Sequence, residues 1–134
     1  MSSPATSAGT AWILWGAMCL ALINYVIVAS AITRHPDAAS PYLPLLTVGF
    51  LAVAAINTAC SLLLAPLLGR RMRSYWVYLV ARLLFAESVA LLGLVLYLLG
   101  ADMPVFLGFA GVTLALLLLS LPTARDREQF LRRL

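Results

Sequence analysis

Four long apolar runs, at about residues 12–33, 42–68, 75–100 and 104–121, occupy most of the chain, and short polar connections separate them. Each run has the roughly 17 or more residues that an α-helix needs to cross a hydrocarbon layer. The first connection, RHPDAASP, carries Pro36, Pro41 and both signs of charge, and the next two, GRRMRS and GADMP, are shorter still. Pro44 stands in the first turn of the second run, where a missing N–H is harmless. Pro66 and Gly69 are expected to end that run, and Pro122 stops the fourth. Short connections make sequence neighbours antiparallel. The pattern therefore predicts an all-α fold in one domain over residues 1–134, a polytopic membrane protein whose four transmembrane helices form an up-down-up-down bundle.

Both ends of the chain are read from the same pattern. The opening MSSPATSAGT is small and polar and is expected to be an unstructured lead-in. Ala29-Ser30-Ala31 resembles a signal-peptidase site. No Arg or Lys precedes the first run, however, and the run exceeds the roughly 7 to 15 residues of a signal-peptide core, so it is expected to remain as a span. In the tail TARDREQFLRRL, Thr123 followed three residues later by Asp126 fits a capping-box start for a short helix over about residues 124–134. Arg127, Phe130, Leu131 and Leu134 would share one side of it, with Glu128 and Arg132 spaced for an i,i+4 pair. This reads as an interfacial helix lying on anionic lipid; a frayed basic end is the plainer alternative.

Composition narrows the class further. Of 134 residues, 63% are hydrophobic and 10% charged, with mean hydropathy +1.01, against roughly one quarter charged in a soluble domain. A soluble fold is excluded. The formal charge of +4 comes from nine arginines with no lysine. They crowd into the second connection (Arg70, Arg71, Arg73) and the tail (Arg125, Arg127, Arg132, Arg133), while the other two connections hold only Arg34. The positive-inside rule then puts both termini in the cytoplasm. Arg70, Arg71, Arg73, Arg132 and Arg133 are assigned to lipid headgroups and not to a nucleic-acid surface. An arginine-only, Ala- and Leu-rich chain suits a GC-rich bacterial genome, hence a bacterial cytoplasmic (inner) membrane. Trp12, Trp15, Tyr75, Trp76 and Tyr78 would form the cytoplasmic aromatic belt, with Tyr42, Tyr97 and Phe106 nearer the other face. Cys19 and Cys60 lie in apolar runs with no CxxC pair, and read as small buried hydrophobes.

The candidate chemistry lies at mid-membrane. Glu87 stands near the centre of the third run, where a charged side chain is unfavourable by roughly 2.5 to 3.5 kcal/mol on insertion scales. Asn24 and Asn57 fall at similar depths, ~15 to 18 Å from the cytoplasmic ends at ~1.5 Å per residue. Small residues accompany them: Ala86, Ala90 and Gly93 beside Glu87, and Gly108 and Gly111 on the fourth run. Such stripes let helices approach closely, so that polar side chains meet across the contact. One amide-and-carboxyl cluster is expected, although the asparagines alone would serve equally well to fix packing register. A carboxyl among hydrocarbon groups favours its neutral form, so Glu87 is expected to be protonated near neutral pH unless a cation approaches. Arg82 is the candidate cation. Five residues turn a helix by about 140°, however, so Arg82 does not share a face with Glu87 and is expected to reach headgroups or a neighbouring helix.

The run FAESVALLGLVLYLLG, Phe85 to Gly100, resembles the carboxylate helix of rotary ATPase proteolipid (c-type) subunits, in which an Ala-Glu step precedes a Gly-Leu-(Val/Ile) step. In that family the glutamate carries the transported proton or sodium ion; the resemblance gives that role to Glu87, with Gly93 marking the close-packed side. It covers sixteen residues. The chain departs from the family in lacking a glycine-rich repeat in its other runs and in carrying the glutamate on the third run of four. Small multidrug transporters also have four spans and a membrane glutamate, but on the first helix, which here offers Asn24. His35, beside Pro36 and Asp37, lacks partners for a metal site. No nucleophile set, phosphate loop or haem motif occurs, so neither enzymatic activity nor a cofactor is expected. Two functions follow: a proton- or cation-binding subunit of a transporter or larger membrane complex, or a structural, self-associating subunit whose polar layer only fixes helix contacts. Either implies the lipid bilayer and a homo-oligomer or other membrane subunits as partners.

Overall fold

The computed structural model describes residues 4–32 and 41–134, with side chains from residue 8 onward. The connection carrying Arg34, His35, Pro36 and Asp37 lies outside the described residues. Helix α1 runs Pro4–Ala31, α2 Leu43–Ala59, α3 Ala65–Arg71, α4 Tyr75–Leu98, α5 Met103–Leu119 and α6 Ala124–Arg132. No strand occurs among the described residues. Three helical stretches are long and apolar enough to cross a membrane: Ala8–Ala31, Leu43–Arg71 and Tyr75–Leu98. A fourth is added if α5 and α6, bent by 73°, are taken together.

Two boundaries differ from the sequence expectation. The first helix starts at Pro4, inside the presumed lead-in. The second stretch does not stop at Pro66 and Gly69 but continues to Arg71. A proline inside a helix removes one N–H and crowds the carbonyl four residues back. Here a π-helical turn, Cys60–Leu64, joins α2 to α3, with the Ala65 N–H bonding the Cys60 carbonyl, and Pro66 then sits at the start of α3 where no N–H is required. Gly69 is buried within α3, and Tyr78 packs closely on it: a Cβ there would stand 2.5 Å from Tyr78 Cβ.

The turns follow local rules. After α3, Arg73 takes a left-handed conformation (φ 49°), the Ser74 N–H returns to the Gly69 carbonyl and the Arg73 N–H to the Arg70 carbonyl. The same pair of bonds closes α4 around Gly100 (φ 116°), from Ala101 to Leu96 and from Gly100 to Tyr97. Both are Schellman closures, which satisfy carbonyls left open at a helix end. Ser74 and Thr123 cap α4 and α6 by accepting from Val77 and Asp126 N–H.

Helix α4 is the axis of the molecule: α1, α2, α3, α5 and α6 all pack on it, whereas α1 and α2, neighbours in sequence, have at most a marginal contact. Leu79, Leu83, Ala86, Val89, Ala90 and Leu96 on α4 are fully buried. Side chains bond across helices to backbone carbonyls. Trp15 Nε1 donates to Leu117 O at 2.8 Å, Ser61 Oγ to Arg82 O at 3.0 Å and Thr113 Oγ1 to Ala86 O at 3.0 Å. A carbonyl has two lone pairs, so each can serve its own helix and a neighbour together. Outward faces are as apolar as the interior, with Ile13, Leu45, Val48 and Leu63 exposed. Tyr78, Tyr97 and Phe106, assigned to an aromatic belt from sequence, are instead buried in the core.

Candidate functional site

Glu87 points inward. It is 8% exposed, and both carboxyl oxygens are buried without a hydrogen-bond partner. The residues before and after it on the inner face of α4, Leu83, Ala86 and Ala90, are fully buried and apolar. Tyr25 and Cys19 of α1 are the groups whose polar atoms act on the carboxyl, and the Tyr25 hydroxyl stops short of a closed hydrogen bond. An ionised carboxylate in that setting would have little beyond the Tyr25 hydroxyl to compensate it; a protonated one forfeits far less.

The other sequence candidates do not converge on it. Asn24 is exposed on the side of α1 that faces away from α4, while Leu22, Tyr25 and Ala29 face inward. Asn57 is half-buried on α2. Neither amide is hydrogen-bonded to a described residue. Arg82 turns back one helical turn: Nη1 donates to the Tyr78 hydroxyl, and the guanidinium lies 5.6 Å from the Tyr78 ring centroid. It makes no bond to Glu87. The expected amide-and-carboxyl cluster is therefore not formed within one chain, because α1 and α2 are rotated so that other side chains meet α4.

The small residues divide in the same way. Ala86 and Ala90 are fully buried, and Gly93 accepts Phe109 of α5 so closely that a Cβ would stand 2.9 Å from Phe109 Cγ. Gly108 and Gly111 face outward, with nothing within 4 Å of where a Cβ would stand. They are not packing positions inside this chain. The arginines assigned to headgroups, Arg70, Arg71, Arg73, Arg132 and Arg133, are all exposed.

Two features escaped the sequence reading. Ser61 and Thr113, which bond neighbouring helices to α4, are both fully buried; a hydroxyl in an apolar run signals such a bond but not its partner. Phe130 of α6 is buried against Tyr78, ring centroids 5.1 Å apart, and Tyr75, at 5.8 Å. The Tyr75 and Tyr78 hydroxyls donate to Asp126 Oδ2 and Oδ1 at 3.1 and 3.4 Å. Instead of closing the capping box, the Asp126 carboxylate thus fastens α6 onto α4.

No known protein family, characterised protein or solved structure matches this chain.

Proposed function

We propose that the chain is an integral membrane subunit with four spans in up-down-up-down order and both termini in the cytoplasm of a bacterium, and that Glu87 carries a proton within a transporter or larger membrane complex. The buried carboxyl without a partner carries this reading. Retaining an ionisable group among apolar side chains is unfavourable, and a glutamine would make any packing bond equally well. Proton exchange is favoured over cation binding because a bound cation needs several oxygen ligands, and among the described residues only the Tyr25 hydroxyl adds an oxygen acting on the carboxyl.

The test is carbodiimide labelling of the detergent-purified protein across pH, read by intact mass, since the reagent modifies protonated carboxyls in apolar surroundings. One adduct at neutral pH, absent from Glu87→Gln, is expected. An unlabelled protein, or equal labelling of the variant, would remove the proton reading.

A second reading, self-association, has its own support in Asn24. Ile13, Ala17, Leu20, Asn24, Ile27 and Ala31 recur at alternating spacings of four and three along the exposed side of α1, the seam of two helices packed knobs-into-holes. An amide at the centre of that seam can donate to and accept from its symmetry mate, each group meeting its complement in hydrocarbon. A homo-oligomer joined along α1 is expected, and Asn24→Leu should weaken it by roughly 5- to 30-fold, the equivalent of about 1 to 2 kcal/mol. Light scattering in detergent reads the outcome, and a monomeric wild type would exclude this interface.

A further inference from the structure

Where α3, α4 and α6 meet, a cavity of ≈300 Å³ opens, lined by both basic and apolar side chains. Arg70 comes from α3, Arg82 from α4 and Arg133 from the end of α6. Asp126 also lines the cavity, but its two oxygens are engaged by the Tyr75 and Tyr78 hydroxyls. None of the three arginines is paired with a carboxylate among the described residues. The cavity therefore gathers three guanidinium groups against one carboxylate that is already spoken for.

The state of Arg82 shows what is missing. Its Nη1 is used on Tyr78, whereas its Nε–H is buried with no partner. Burying an N–H of a charged group unmet is unfavourable, so Arg82 keeps donor capacity that Tyr78 does not use, and guanidinium N–H groups pair strongly with phosphate oxygens. Arg70 and Arg133, which line the same cavity, suit the remaining charge of such a group. The lining also includes Leu62 and Leu119, 41% and 61% exposed, so a hydrocarbon chain leaving the phosphate would find apolar surface beside it.

We propose that this cavity binds the phosphate group of an anionic ligand, held by the guanidinium groups of Arg70, Arg82 and Arg133. An anionic phospholipid headgroup and a soluble phosphate share this chemistry. Because the three arginines belong to three helices, the bound group ties α6 to the body of the protein.

The experiment is native mass spectrometry of the full-length detergent-purified protein with phosphatidic acid, phosphatidylcholine or inorganic phosphate added separately. One phosphatidic acid is expected to be retained, and phosphatidylcholine about tenfold less, because its choline offsets the phosphate charge. Arg82→Gln and Arg133→Gln should each reduce retention by about tenfold. Arg125→Gln, outside the cavity, should leave retention unchanged. Arg133 is exposed, so its variant folds even if Arg82→Gln does not. Inorganic phosphate that binds in the same arginine-dependent way and displaces the lipid identifies a soluble ligand; lipid retention unaffected by phosphate identifies a headgroup. Equal retention by wild type and Arg133→Gln, an equal loss in Arg125→Gln, or phosphatidylcholine held as firmly as phosphatidic acid would overturn the site.

Discussion

Phe109 of α5 occupies the place where Gly93 of α4 has no side chain; a Cβ on Gly93 would stand 2.9 Å from Phe109 Cγ. The obstructing atoms are the root of a buried ring and cannot swing aside as the end of a long side chain would. Gly93→Ala is therefore expected to force α4 and α5 apart and destabilise the protein by about 1 to 3 kcal/mol. Gly108→Ala on the outward side of α5, where no atom lies within 4 Å, should stay within about 0.5 kcal/mol of wild type. Thermal unfolding in detergent, followed by circular dichroism, compares them; equal melting temperatures would contradict this packing.

Thr113 of α5 and Ser61 of the π-helical turn bond to α4 one helical turn apart, through the carbonyls of Ala86 and Arg82. Those carbonyls already serve the α4 helix, so losing the hydroxyl leaves no acceptor wholly unmet. Thr113→Val and Ser61→Ala are each expected to lower stability by only about 0.5 to 1 kcal/mol, the range found for interhelical bonds in membrane proteins. The two bonds lie on different helices, so the double variant should be additive within about 0.5 kcal/mol. Denaturation in mixed detergent tests both statements, and a loss several times larger would mean that the hydroxyls do more than pin the helices.

Phe130 is the apolar anchor of α6, buried over Gly69 and between two tyrosines. Removing a buried aromatic ring forfeits about 1.5 to 3 kcal/mol of transfer free energy, and local opening of α6 should rise by roughly ten- to hundredfold. Phe130→Ala should therefore accelerate tryptic cleavage after Arg125 and Arg127 by that factor while leaving the remaining helices intact. Unchanged cleavage would show that Asp126 and its tyrosines suffice to hold the tail.

Local signals carried much of the fold. Thr123 three residues before Asp126 marked the start of α6, and Pro122 marked the break before it, because capping and proline geometry depend on only a few neighbouring residues. Pro66 misled for the complementary reason. Whether a proline ends a helix or is absorbed by a π-helical turn depends on what the chain packs against afterwards, here Gly69 against Tyr78.

The candidate site divides along the same line. Read alone, the sequence determined that the chain is helical, that several helices are apolar enough to cross a membrane, and that Glu87 lies within one of them. Run length and residue type suffice for those statements. Only the tertiary structure decided that Glu87 faces inward while Asn24 faces outward, that Gly93 and not Gly108 or Gly111 is a point of contact, and that Arg82 turns to Tyr78. The rotation of a helix is legible in sequence only when one side is polar and the other apolar. These helices are apolar on every side, so packing against neighbours, and not hydropathy, sets which residues meet.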